Sequence, residues 1–142
     1  MIRAVLDTNS LASGFTTRGG ISDLILQHWL LGTFELIVSE EIIEELIGVF
    51  GKPYFQARMP AEQAAANVRL LRTRATLLPV TFEVHGVATH PEDDVILALA
   101  VSAQTDYLVT GDRRFRGAVP DYQGVRLVSP REFLDLLERP TV

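Results

Sequence analysis

The amino-acid sequence points to an α/β domain of three layers, with helices on both faces of a central parallel sheet of about four to five strands. Ala4-Val5-Leu6 and Tyr107-Leu108-Val109 are short continuous apolar runs without polar alternation, the mark of strands buried on both faces. Helix-period segments alternate with such runs along the chain, as parallel strands require, because each connection must return to the same end of the sheet. Both runs also stop abruptly in small polar residues and an acid, Asp7-Thr8-Asn9-Ser10 in one case and Thr110-Gly111-Asp112 in the other. In open α/β sheets the carboxyl ends of strands face the ligand crevice, which makes an acid there a candidate for chemistry. The plainer role for such an acid is to cap the helix or turn that follows.

The strands and helices can be taken in order. After the first strand, Gly14 to Gly20 reads as loop, and Ile21, Leu24, Ile25, His28 and Trp29 recur at helical spacing until Gly32. His28 lies beside that stripe with no second histidine at ligand spacing, so it is expected on a helix face rather than on a metal. Phe34 to Val38 forms the second strand, and Ser39 caps a helix from Glu40 to about Phe50. On that helix Ile42, Ile43, Leu46, Ile47, Val49 and Phe50 make one apolar arc. Glu45 falls at the margin of the arc beside Val49, whereas Glu44 lies on the far side past Ile47.

Gly51-Lys52-Pro53 breaks the chain, and Pro60 opens a third helix with the stripe Ala64, Val68 and Leu71 and the arginines 69, 72 and 74 on its polar side. Leu77 to Phe82 suits a short edge strand, since proline is tolerated there. Glu83 to Pro91 has no period and reads as a loop. Glu92-Asp93-Asp94 then open a helix that is apolar nearly all round from Val95 to Val101, and therefore buried. The strand Tyr107 to Thr110, a last strand at Val125 to Val128 and a helix from Pro130 to about Glu138 complete the alternation.

Composition narrows the function. The chain of 142 residues is expected to form a single domain over residues 1–142, and its 47% hydrophobic and 22% charged residues allow one core in water. No run approaches the roughly 18 apolar residues of a membrane span, and the first residues lack the pattern of a signal peptide. No membrane association and a cytoplasmic location are expected. The absence of cysteine excludes disulfides, thiolate zinc sites, iron-sulfur clusters and cysteine nucleophiles, so any metal must be held by oxygen or histidine. A net charge of −5 argues against nucleic-acid binding through overall basicity and leaves only local patches. Arg113, Arg114 and Arg116, directly after Asp112, are the nearest such patch to the acids.

The order of elements brings strand ends and adjacent helix starts to one edge, where Asp7, Glu45, Asp94 and Asp112 could converge. Carboxylates that close resist ionising together unless a cation favours their charged forms. Oxygen ligands suit Mg²⁺ or Mn²⁺, which can ionise a bound water and stabilise charge at phosphorus. That is hydrolytic phosphodiester chemistry.

These residues resemble the PIN-domain pattern. The resemblance rests on Asp7-Thr8-Asn9 after the first strand, an acid in the helix after Ser39, Asp94 four residues before Ala98, and Thr110-Gly111-Asp112 after a later strand. It covers nearly the whole chain and implies a PIN-like fold of the stand-alone bacterial or archaeal type. It also implies a metal-dependent ribonuclease, with many short members being toxins of type II toxin-antitoxin pairs. Asp7, Glu45, Asp94 and Asp112 become the catalytic acids and metal ligands, with Asn9, Thr110 and Asp93 as supporting polar groups and Arg113 and Arg114 as substrate-binding residues. A shift of one residue, to Glu44 or to Asp93, stays open. The expected cofactor is Mg²⁺ or Mn²⁺. The expected partners are a single-stranded RNA substrate, a cognate antitoxin protein and further copies of the chain in a homodimer or higher homo-oligomer.

Two other readings are weaker. An aspartyl-phosphate phosphohydrolase also places an Asp after its first strand, but it wants a second acid where Asn9 stands and a lysine, and Lys52 is the only lysine. A catalytically inactive PIN-like partner-binding module would tolerate apolar residues at the acidic positions, and here all four are acids.

Overall fold

The first strand is the centre of the molecule. In the computed structural model, which describes residues 1–139, the chain runs β1 (Ile2–Leu6), α1 (Thr8–Thr16), α2 (Ile21–Leu30), β2 (Phe34–Val38), α3 (Glu40–Phe50), α4 (Pro53–Gln56) and α5 (Ala61–Arg74). It continues through β3 (Thr76–Leu77), α6 (Pro91–Ser102), β4 (Tyr107–Val109), α7 (Arg113–Ala118), β5 (Asp121–Tyr122), β6 (Val125–Val128) and α8 (Pro130–Glu138). The sheet order is β3-β2-β1-β4-β6-β5, with β1 parallel to both of its neighbours. Ala4, Val5 and Leu6 are buried, as an uninterrupted apolar run in a central strand must be.

The sheet has six strands rather than four to five, and it is mixed rather than wholly parallel. The added strand, β5, is a two-residue edge piece that turns back onto β6 through Gln123 and Gly124, at φ 51° and 85°. Two successive positive φ values make the hairpin turn that matches strand twist, and glycine supplies one at little cost. At the opposite edge, β3 stops after Leu77 because Pro79 follows, shorter than the six residues anticipated.

Helices flank the sheet in three layers. α2 and α8 pack together, and Phe133 of α8 stands edge-on to Phe34 and Tyr107 at centroid distances of 5.1 and 5.8 Å. α6 packs on β1 and β4. Gly14, read from the sequence as the start of a loop, is instead inside α1. A Cβ at that position would come within 2.6 Å of a Leu26 methyl and 3.0 Å of the Ser22 carbonyl, so glycine is what lets α1 cross α2 closely. The short helix α4, opened by Pro53, was not legible as more than a break. On α3 the anticipated arc is buried except at Ile47, which is 48% exposed. No helix among the described residues is long and apolar enough to cross a membrane.

This topology selects one crevice. From β1 the chain order runs outward to β2 and β3 on one side and to β4 and β6 on the other, so the sheet's switch point lies between β1 and β4. Asp7 and Thr110 are the first residues beyond the carboxyl ends of those two strands.

Candidate functional site

Asp7 is both a helix cap and a member of the crevice. One of its oxygens accepts the Ser10 N–H at 2.8 Å, capping α1, and the other accepts the Thr110 hydroxyl at 2.6 Å from across the sheet. Its own N–H donates to the Val109 carbonyl at 3.0 Å, so the strand pairing runs to the edge of the site. The buried Thr110 hydroxyl also accepts the Asp112 N–H at 3.1 Å. Asp112 in turn caps α7, its Oδ1 accepting the N–H groups of Arg114 and Phe115 at 2.9 and 3.2 Å. Asp7, Thr110 and Asp112 are thus joined through one hydroxyl, with each carboxylate oriented by charge-assisted hydrogen bonds.

At the start of α6 the two neighbouring acids, of which the spacing to Ala98 favours Asp94, have different surroundings. Asp94 is buried, with both oxygens taken up by the backbone N–H groups of Gly86 and Ala88 at 2.9 and 2.7 Å. It anchors the loop that precedes its own helix. Asp93, about 100° round the helix, lies within range of the charges of Asp112 and Asp7. Its pKa is raised, first by burial and then by the negative charge of Asp112, with Asp7 adding to the effect and His90 opposing it. Spacing to Ala98 could not show which of two adjacent residues the loop would capture.

Glu45 is exposed on α3 and forms no hydrogen bond with the described residues, nor is it among the charges acting on Asp93. Its neighbour Glu44 is also exposed, near enough to α5 for its charge to act on Arg72, with which Glu40 pairs at 2.6 Å. Asn9 is exposed on the first turn of α1. Arg113 and Arg114 are exposed at the start of α7, whereas Arg116 turns inward and donates to the Thr110 carbonyl at 2.6 Å. That inward role was missed; the available signal was its place one helical turn beyond the Asp112 cap.

The structure therefore brings Asp7, Thr110 and Asp112 together through hydrogen bonds, adds Asp93 through charge, and leaves Glu45, Asn9 and Asp94 outside that set. Among the described residues no three acid or histidine side chains stand close enough to hold one ion in common. The donors at the crevice are all carboxylate and hydroxyl oxygens, the hard set that Mg²⁺ and Mn²⁺ take, and Mg²⁺ commonly sits on one or two carboxylates with water completing its shell.

A mostly parallel sheet with carboxylates gathered at its switch point defines a class of α/β proteins built to act on ligands at that edge. More narrowly, the chain belongs to the PIN-domain family: residues 3–114 match the family model of the PIN domain. Proteins of this family are generally nucleases. Among solved structures the chain is similar to VapBC2 from Rickettsia felis, bound to a DNA fragment from their promoter. The identity is 15% and the TM-score 0.63, over 90% of this chain and 98% of that one. It is also similar to PAE2754 from Pyrobaculum aerophilum, at 16% identity and a TM-score of 0.55, over 96% of each chain. At such identities the likeness speaks for the fold. A comparison with curated proteins gives no match.

Proposed function

We propose that the protein is an endoribonuclease that hydrolyses phosphodiester bonds of single-stranded RNA with Mg²⁺ or Mn²⁺, using Asp7, Asp93 and Asp112 as the acids of its site. The observation that carries this reading is that Asp7 and Asp112 are joined through the Thr110 hydroxyl at the switch point between β1 and β4, with Asp93 near enough for their charges to add to burial in raising its pKa. A carboxylate whose charged form is opposed by burial and by neighbouring negative charge marks a place where a cation is favoured. A divalent ion bound there supplies an ionised water and offsets charge on the scissile phosphate. Asp7 and Asp112 present carboxylates already oriented by capping bonds, while the carboxylate of Asp93 has no hydrogen bond among the described residues and remains available. Glu45 and Asn9, exposed on α3 and α1, serve as outer polar groups, and Arg113 and Arg114 receive phosphates.

The likeness to VapBC2 supports a toxin of a type II toxin-antitoxin pair as the physiological role, with an antitoxin protein as partner, a homodimeric or larger assembly and a cytoplasmic location. The test is cleavage of a labelled single-stranded RNA by purified protein with Mn²⁺, Mg²⁺ or excess chelator. Cleavage with either ion and none in chelator is expected. Undiminished cleavage in chelator overturns the metal requirement, and no cleavage under any condition overturns the nuclease.

A further inference from the structure

We infer that Arg116 is a positioning residue of the acidic site, fastening the Thr110–Asp112 corner through the Thr110 carbonyl so that a cation bound by the acids is held more tightly. The inference rests on reading those acids as a metal site. A fixed cation beside a metal site is unexpected, because like charges repel. The hydrogen bonds explain its presence.

Every polar atom of Thr110 is engaged. Its N–H donates to the Val128 carbonyl at 3.0 Å, its hydroxyl joins Asp7 and Asp112, and its carbonyl accepts from Arg116 at 2.6 Å. Arg116 also sits one turn into α7, with its N–H donating to the Asp112 carbonyl at 3.1 Å. Side chain and backbone of one residue therefore close the chain from 110 to 116 into a ring around the acid. A free corner rotates the Thr110 hydroxyl away from the Asp7 carboxylate and frees the Asp112 N–H, so the two acids lose their common tie.

The charge of Arg116 is felt by Glu132 on α8. Glu132 belongs to a capping box, giving Ser129 a mutual pair of hydrogen bonds at 3.1 Å each. Its pKa is lowered, chiefly by the Ser129 N–H, with Arg116 and Arg126 adding to the effect. An arginine suits this place because its planar, rigid fork holds a donor in fixed geometry on the Thr110 carbonyl, which a lysine's flexible ammonium does less well.

The direction of the effect separates positioning from simple electrostatics. Removing a positive charge near a cation site should tighten binding by Coulomb attraction alone, whereas loosening the corner should weaken it. Mn²⁺ affinity is to be measured by calorimetry on wild type, Arg116→Gln, Arg116→Lys and Arg126→Gln, together with amide hydrogen exchange at Gly111 and Asp112. Arg126→Gln is the charge control, since Arg126 also acts on Glu132 but its side chain makes no bond to the corner.

Arg116→Gln is expected to weaken Mn²⁺ about tenfold or more and to speed exchange at Asp112, with Arg116→Lys intermediate and Arg126→Gln unchanged or tighter. Equal or tighter Mn²⁺ binding in Arg116→Gln overturns the inference. If that variant does not fold, Arg116→Lys reads the same question, and unchanged affinity and exchange in it overturn the inference. A wild type that binds no Mn²⁺ overturns it together with the metal site, while one that binds Mn²⁺ and cuts no RNA overturns the nuclease alone.

Discussion

The strand side and the helix side of the acidic site are built on opposite terms. On the strand side, Asp7 has both carboxylate oxygens and Asp112 has one occupied by N–H or hydroxyl donors, and the Thr110 hydroxyl links the Asp7 carboxylate to the Asp112 N–H. On the helix side, Asp93 has no such donor among the described residues and feels the charge of both. The first arrangement fixes geometry and the second concentrates negative charge, which a fold bears at a cost where a ligand later offsets it. A residue can therefore support the structure and the chemistry together on one side, while the two duties separate on the other.

The largest effect is expected on the strand side. Groups that merely orient metal ligands typically cost about 10 to 100-fold when removed, so Asp7→Asn, which alters a proposed ligand directly, should lower RNA cleavage by roughly 100-fold or more. The amide oxygen still accepts from Ser10 or Thr110, so the melting temperature should change little. Wild-type cleavage rates in this variant would remove Asp7 from the chemistry, and global unfolding would make it structural.

On the helix side, adjacent acids should respond in opposite directions. Asp94→Ala strips charged acceptors from the Gly86 and Ala88 N–H groups and should destabilise by about 2 kcal/mol. That corresponds to a drop of roughly 4 to 8 °C in melting temperature. Asp93→Asn should instead stabilise the chelated protein at neutral pH and abolish metal-dependent cleavage. Folding raises the pKa of Asp93 above its ordinary 3.8, so the native state binds this proton more tightly than the unfolded chain does. Stability is then lost as pH rises from about 4 through the raised value, and Asp93→Asn avoids that loss. Denaturant midpoints should coincide for the two proteins near pH 3 and favour the variant at pH 7. The reverse order at pH 7 would return the charge burden to Asp94.

The same division explains what could be read in advance. β2, α3, β6 and α8 have the expected bounds because their signals are local, an apolar period beginning beside a cap such as Ser39 or Ser129. Strand-end acids were legible because the end of a buried run is itself a local event. What stayed hidden depended on distant contacts. Gly14 looks like a breaker until α2 crosses it, β5 is two residues long, and the rotation of α6 is set by a loop whose N–H groups take Asp94. Arg116 was invisible for the same reason, since its partner is a backbone carbonyl.

A smaller effect is expected at Glu45. It stands off the α5-facing flank of α3 and outside the charges that shift Asp93, so it should act on a bound ion only through water. Glu45→Gln should weaken Mn²⁺ by less than about tenfold, the lower range for groups beyond the direct ligands. Glu44→Gln should leave Mn²⁺ affinity alone and relax the hold on Arg72. A full loss of Mn²⁺ binding in Glu45→Gln would make α3 a third wall of the direct site.

The smallest effect concerns how an acidic protein holds RNA. With a net charge of −5, phosphates must be met by local cations, and Arg113 and Arg114 stand exposed on the first turn of α7, directly beyond Asp112. The N–H dipoles of that turn are partly spent on Asp112, which leaves the guanidinium groups as the main attraction. Replacing both with Ala should leave Mn²⁺ affinity and folding unchanged and weaken RNA binding at moderate salt. Each phosphate contact adds about 0.7 to the slope of log affinity against log salt for a single strand, so the double variant should flatten that slope by about 1.4. Binding is best measured by fluorescence anisotropy in Ca²⁺ or on the Asp7→Asn background, so that cleavage does not distort it. An unchanged slope would move the phosphate path to Arg69 on α5, since Arg72 is paired with Glu40 and Arg74 donates to the Leu30 carbonyl.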